Sequence, residues 1–271
     1  MMMQKTIPIQ SRRTPGPDLH LFSLRDAELA RLARPGQFVN VRVSGATAPL
    51  LRRPFSICDA NPQSGEILLL IKVVGEGTEA LARAGAGDAI DLVGPLGAGF
   101  SWQGETKALL VGGGVGIAPL HFLAAEIARA RARGEAVPDV AFAYGARDSR
   151  GLALIEEIER LADRLIVATE DGSRGHKGFV TEAIGGELRA DTPLYCCGPT
   201  PMMAATLKAM RARGIERGWF SLENQMGCGV GVCQGCVVRT RRGYARVCVD
   251  GPVLSAEDLD FSLMASASAP S

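Results

Sequence analysis

The sequence predicts a multi-domain protein: an antiparallel β-barrel, then an α/β domain built on a parallel sheet, then a small C-terminal lobe. Three observations predict it. Residues 1–102 hold short apolar and β-branched runs punctuated by Pro, Gly and Asn. From Lys107, short apolar runs alternate with helical stretches rich in Ala and Arg. From Trp219, four of the seven cysteines cluster among glycines. These changes of pattern divide the chain at 1–102, 103–218 and 219–271.

The 271 residues are ample for two compact domains and an appendage. With 46% hydrophobic and 22% charged residues, the composition is that of an ordinary globular protein. A formal net charge of +1 excludes the strong charge balance of a nucleic-acid or membrane-surface binder. The N-terminal MMMQKTIPIQSRR lacks the apolar run of a signal peptide. No stretch approaches the ~18 consecutive apolar residues of a spanning helix. A cytoplasmic setting is therefore expected, and in a reducing cytosol a dense cysteine cluster points to metal or catalysis before disulfides.

In the first segment, strands are expected over 19–24, 37–43, 67–74 and 89–93. Turn signals lie between them at Pro35-Gly36, Asn61-Pro62, 85–87 and Gly94-Pro95, and one short helix is expected over 79–84 with Thr78 as its cap. Many short strands with regular turns suit an antiparallel barrel. The run Arg52-Arg-Pro-Phe-Ser-Ile57 combines fixed charge, a rigid turn and a hydroxyl. Arg53 can pair with a pyrophosphate and Ser56 can hydrogen-bond a flavin edge; an edge strand with a solvated charge would read the same. Gly75-Glu-Gly-Thr78 precedes the expected helix and also suits phosphate.

In the second segment, 108–111 is fully apolar, as a buried parallel strand requires. A helix is expected over 120–133, a strand over 140–144, a helix over 154–161, strands over 165–169 and 193–197, and a helix over 201–213. That alternation implies a parallel sheet with right-handed crossovers. The first strand runs into its helix through Gly112, Gly113, Gly114, Val115 and Gly116. Glycines there let the backbone approach a pyrophosphate at a helix N-terminus, and Pro119 suits the first helical turn. The pattern is not G-x-G-x-x-G, and glycines that merely leave room for helix–sheet packing are the alternative. Cys197, Gly198 and Pro199 end another strand before another helix, where loops line the ligand crevice of an open α/β sheet. Cys197 is expected near a nicotinamide or else as a small buried thiol, the reading favoured for Cys58 and Cys196. Thr169-Glu-Asp-Gly-Ser173 borders the same crevice.

In the third segment the spacing is Cys228-x4-Cys233-x2-Cys236-x11-Cys248. Four thiolates converging on two irons need it, and C-x4-C-x2-C with a distant fourth cysteine is the plant-type [2Fe–2S] arrangement. Gly227, Gly229, Gly231 and Gly235 let the loop bend tightly and aim N–H groups at sulfur. A structural zinc site is the alternative, although zinc commonly takes two Cys-x2–4-Cys pairs and here the fourth cysteine stands alone. The tail after Met264, ASASAPS, is small and polar and expected to be disordered. His20, His121 and His176 are scattered and take no expected role.

Taken together, RRPFSI, GEGT, GGGVGIAPL and CCGPTPMM resemble the flavin and nucleotide motifs of the ferredoxin–NADP reductase superfamily. The cofactor order, with QMGCGVGVCQGC last, resembles the electron-transfer subunits of NAD-linked dihydroorotate dehydrogenases, over nearly the whole chain. The resemblance implies a six-stranded FAD barrel, an NAD-binding α/β domain and a [2Fe–2S] lobe. It implies FAD contacts from Arg53, Pro54, Phe55 and Ser56, from Leu70, Ile71 and Lys72, and from Gly77 and Thr78. It implies cluster ligation by Cys228, Cys233, Cys236 and Cys248. It further implies a separate FMN-containing catalytic subunit, assembled two plus two. Electrons would pass from dihydroorotate at FMN through the cluster and FAD to NAD, in pyrimidine (UMP) biosynthesis. A similar reductase serving a hydrogenase, a glutamate synthase-like enzyme or an oxygenase is the competing reading, and oxygenase reductases space the fourth cysteine differently. A zinc-stabilised nucleotide-binding regulator without redox activity is the third. Arg147 meets either an NADP 2′-phosphate or solvent; the family implies NAD. The apolar Val253, Leu254, Leu259 and Phe261 form either a partner interface or a local core contact.

Overall fold

The computed structural model describes residues 2–43 and 49–265. Residues 266–271 of the polar tail lie outside them. The first unit comprises β1 (Met3–Gly16), β2 (Leu19–Arg25), α1 (Ala27–Leu32), β3 (Phe38–Val41), β4 (Arg53–Asn61), β5 (Glu66–Lys72), α2 (Glu76–Ala82) and β6 (Ala89–Leu96). Six strands close an antiparallel barrel in the order β1-β2-β5-β4-β3-β6. Alternate side chains fill its interior: Ile7 and Ile9, Phe22 and Leu24, Val39 and Val41, Ile67, Leu69 and Ile71, and Ile90 and Leu92 share one core.

β1, β4 and α1 were not among the expected elements. β1 buries only Ile7 and Ile9 and is polar and exposed over 10–14, so its period-2 signal spans too few residues to register. It is held instead by its ladders to β2 and β6. α1 is one short turn and a half, started by Asp26, whose carboxylate accepts from Leu29 N at 2.8 Å. The expected 79–84 helix starts earlier, at Glu76, which corrects the role of Thr78. Thr78 sits inside the first turn and caps from within: its hydroxyl accepts from Val74 N at 2.8 Å and Gly75 N at 3.1 Å and donates to Gly75 O at 2.8 Å.

The second unit comprises β7 (Lys107–Gly113), α3 (Ile117–Ala132), β8 (Asp139–Ala146), α4 (Ile155–Leu161), β9 (Arg164–Thr169), β10 (His176–Lys177), α5 (Val180–Ala183), β11 (Leu194–Cys197), α6 (Thr200–Ala212) and β12 (Gly218–Ser221). Its sheet runs β10-β9-β8-β7-β11-β12-β15, parallel except for β15 (Val253–Ser255), which pairs antiparallel with β12. The cysteine segment is therefore carried between two strands of this sheet, with its own hairpin of β13 (Val237–Thr240) and β14 (Gly243–Arg246), and a last helix, α7 (Phe261–Ala265). Val253, Leu254 and Leu259 are buried and Phe261 packs edge-on against Phe220 at 6.1 Å, so this apolar run is local core.

The units dock through α3, whose outer face meets the barrel strand β4. Arg129 reaches Asp59, His121 Nδ1 lies 2.9 Å from Cys58 O, and Leu19, Leu21, Cys58 and Leu70 of the barrel enter the same core as Leu120, Leu123 and Ile127. The β1–β2 hairpin reinforces the docking: Arg13 pairs with Glu157 at 2.6 Å.

Candidate cofactor sites

The cysteine loop is built by backbone reversal. Gly229 and Gly231 take φ of +73° and +81°, where a side chain is strained. The turns aim N–H groups at sulfur: Val230 N and Cys233 N at Cys228 Sγ (3.4 Å each), Gly231 N at Cys248 Sγ (3.2 Å), Gly235 N at Cys233 Sγ (3.5 Å) and Cys248 N at Cys236 Sγ (3.4 Å). Those donors from Cys233 and Val230 bring the Cys228 thiol down to about 6. Burial, and then the Cys236 thiol beside it, push Cys248 up to about 12. Cys228 thus neighbours Cys233, and Cys236 neighbours Cys248. Among the described residues no three ligating side chains converge on one point. Two adjacent thiol pairs, surrounded by N–H donors, fit a binuclear centre with two thiolates on each iron better than a single tetrahedral zinc. The loop is tight there: a Cβ on Gly227 would crowd Cys233 Sγ at 3.3 Å.

The lobe sits on the barrel. Phe38, on the outer face of β3, shares a core with Cys236, Val247 and Cys248, and Asn40, two residues along, donates from Nδ2 to Cys228 O at 3.3 Å. Sequence reasoning missed Asn40, although a lone amide in the apolar run Phe38-Val-Asn-Val41 was a visible signal.

The two arginines before β4 divide their work. Arg52 pairs with Asp91 through Nη2, at 2.9 Å to each carboxylate oxygen, and donates from Nη1 to Asp91 O at 3.0 Å. Arg53 has no carboxylate partner among the described residues; its guanidinium donates to Leu51 O at 2.8 Å and flanks Gly77, whose added Cβ would lie 3.4 Å from Arg53 Nε. The RPFS and GEGT segments thus meet, with an uncompensated cation beside the first turn of α2, as an anionic phosphate group would require. Pro54, Phe55 and Ser56 are half-buried beside it. Leu70 and Ile71 bury their side chains. Only their backbone can serve a ligand, and the ladder leaves it available: β4–β5 pairing ends at Ile57–Leu69, while β5 continues on β2 alone through Lys72. The wedge where β4 leaves β5 lies next to Ser56.

Where the nucleotide crevice is expected there is a cleft of about 660 Å³, at the carboxyl ends of β7 and β8. Gly113, Gly114 and Pro199 line it, with Lys72 from the barrel and Arg147, Glu170 and Phe179 at its rim. Of the expected glycines, Gly114 has φ +54° and open space beside it, while Gly116 is a packing residue: a Cβ there would stand 2.6 Å from Gly198 Cα and 2.7 Å from Cys197 O. Gly112 likewise makes room for Ile117. Cys197 is 1% exposed beneath the cleft, and burial followed by the charge of Glu223 raises its thiol. Burial also raises the Glu223 carboxyl, against the opposing charge of Lys72. Glu223 carries no motif signal and was missed. Cys58 and Cys196 are buried thiols, as expected.

A barrel with a phosphate-seeking arginine, a parallel sheet with a glycine crevice and a paired-cysteine loop define an oxidoreductase of the flavin and pyridine-nucleotide class with an iron–sulfur domain. Family models agree piece by piece. Residues 7–100 match an oxidoreductase FAD-binding domain and residues 110–208 an oxidoreductase NAD-binding domain. Residues 223–260 match the iron–sulfur cluster binding domain of dihydroorotate dehydrogenase B. The chain is 38% identical over 266 residues to the dihydroorotate dehydrogenase B (NAD(+)) electron transfer subunit of Bacillus velezensis, covering 95% of this chain and 99% of that one. It is 35% identical over 265 residues to that of Geobacillus kaustophilus, covering 96% and 99%. A solved NADH-dependent reduced ferredoxin-NADP oxidoreductase superposes with a TM-score of 0.83 at 33% identity, covering 96% of this chain and 91% of that chain. The chain belongs to the family of dihydroorotate dehydrogenase B electron transfer subunits.

Proposed function

We propose that this chain carries electrons from an FMN-containing dihydroorotate dehydrogenase catalytic subunit to NAD, through a [2Fe–2S] cluster and FAD, in pyrimidine biosynthesis. The observation that carries the reading is the adjacency of three sites around β3, β4 and β5. The cysteine loop rests on Asn40 of β3, Arg53–Ser56 begins the next strand, and Lys72 at the end of β5 reaches the nucleotide cleft. Flavin supplies the exchange between two-electron hydride chemistry and one-electron transfer, which is why it belongs between nucleotide and cluster.

In this reading Arg53 neutralises the flavin pyrophosphate beside Gly77 and Thr78, and Pro54, Phe55 and Ser56 hold the ring edge. The backbone of Leu70, Ile71 and Lys72 supplies hydrogen bonds. Gly112, Gly113, Gly114 and Gly116 with Cys197, Gly198 and Pro199 shape the nucleotide crevice. Cys228, Cys233, Cys236 and Cys248 ligate the cluster. The assembly is a heterotetramer of two such chains and two catalytic subunits. No helix among the described residues is long and apolar enough to cross a membrane; with no disulfide among the seven cysteines, a cytoplasmic location suits the chain.

The test is reconstitution. The chain purified anaerobically should show flavin bands with roughly two irons and two sulfides, and with the FMN subunit it should reduce NAD at the expense of dihydroorotate. A loaded chain that gives no NAD reduction with that subunit would make it a reductase for another partner.

A further inference from the structure

Asn40 is 1% exposed, in a strand whose other residues are apolar. Val39 and Val41 point into the barrel core, and Phe38 and Asn40 lie on the opposite face, toward the cysteine lobe. There the Asn40 amide donates to Cys228 O at 3.3 Å, and a Cβ on Gly229 would stand 2.6 Å from Asn40 Nδ2, so the loop lies directly on it. Along the strand, Asn40 is the cross-strand partner of Pro54, and partners share a face. One side chain therefore joins the loop carrying the first cysteines to the segment read as holding flavin. Its Oδ1 is buried without a partner among the described residues. Half-satisfied amides are costly to bury and an apolar residue of the same size is not, so packing alone gives no reason for asparagine at this place.

We propose that Asn40 is a positioning residue for electron exchange between the cluster and the flavin: its N–H pins the Cys228 carbonyl, and with it the glycine-rich ligand loop, to the strand that borders the flavin segment. The inference rests on the cofactor assignment above. Without the amide the loop keeps its cysteines but loses its fixed distance and orientation to β4, and transfer across that gap slows.

Two variants remove the donor: Asn40→Leu at similar volume, and Asn40→Asp, an isostere that meets the Cys228 carbonyl with an acceptor. Each is purified alongside the wild-type chain with iron and flavin content measured, the midpoint potential and electron paramagnetic resonance spectrum of the cluster recorded, and NADH mixed in stopped flow. In wild type, bleaching of flavin reports hydride arrival and bleaching of the cluster reports the onward transfer. A wild-type chain without iron or flavin would refute the cofactor assignment rather than the role of Asn40. With cofactors present, the expected result is an unchanged first phase, a second phase slowed at least about tenfold, as small misplacements of reacting groups produce, and an altered cluster spectrum. If both variants keep flavin and lose iron, the proposal is overturned, because the amide then holds the ligand loop together instead of setting its distance to β4. Wild-type rate, potential and spectrum in either loaded variant would overturn it. Loss of both cofactors in both variants would also overturn it, making Asn40 a folding residue.

Discussion

Arg129 on α3 holds Asp59 of β4 with both prongs of its guanidinium, at 2.8 and 3.1 Å, and donates as well to Ala60 O at 3.2 Å. The pair crosses between nucleotide domain and barrel, and about a fifth of each side chain is exposed. It sets how the two units sit, and so how the end of β5 faces the nucleotide crevice. Arg129→Ala is expected to cost about 1–3 kcal/mol, below the value for a fully buried pair because water screens it. Thermal unfolding followed by flavin release checks this; an unchanged midpoint would mean that apolar packing of α3 carries the docking alone.

His121 gives the same interface a pH dependence. Burial lowers its imidazole below the ordinary 6.5. A group depressed in the fold binds its proton in the unfolded chain first, so the neutral ring costs nothing above pH 6.5 and stability falls as pH drops below it. Urea unfolding at pH 7.5 and 5.5 is expected to show a larger loss in wild type than in His121→Gln. Equal losses would assign the acid sensitivity to other groups.

Gly116 has no space for a methyl group against Gly198 and Cys197. Gly116→Ala is expected to push the two nucleotide loops apart, raising the KM for NADH by about tenfold or more, since misplacement at a site is amplified in rate and affinity. Iron and flavin content should stay at wild-type levels. A wild-type KM would show that the two loops are free to separate.

Arg53 has no carboxylate partner among the described residues, whereas Arg52 is tied to Asp91. Arg53→Ala is expected to weaken FAD by about 1.5–3 kcal/mol, the worth of a charge-assisted hydrogen bond. Arg52→Ala should instead lower thermal stability, by loosening Asp91 on β6. Flavin titration of the apoprotein separates the two, and equal FAD affinity in both variants would reverse the assignment.

Cys248 is the distant fourth thiol, buried and beside Cys236. In Cys248→Ser the chain should retain FAD and reduce a dye with NADH, yet carry less iron and lose dihydroorotate-dependent NAD reduction. Full activity with dihydroorotate would remove the cluster from the route.

Local chemistry made much of this legible. Cysteine spacing, glycine loops and Arg-Pro-Phe-Ser depend on residues near one another in sequence, so the turn and ligand requirements are written there directly. The elements that escaped, β1 and β4, carry too little apolar alternation of their own and are held by their ladders, β1 to β2 and the distant β6, β4 to β3 and β5 on either side of it. Thr78 was misplaced by three residues, most of a helical turn, because its hydroxyl bonds backward to Val74 and Gly75 from within the first turn.

By itself the sequence determined the three-part fold class, the cysteine spacing from which the cluster ligands are proposed and the strand–loop–helix units, because each rests on short-range geometry. Only the tertiary structure decided which glycines face a ligand and which merely pack. It also separated Arg53 from Arg52 and returned the chain after the cysteines to the parallel sheet. Above all it set Asn40 beneath Cys228, 188 positions apart. Such pairings arise from barrel closure and domain docking, which bring distant residues together only when the whole apolar surface is buried.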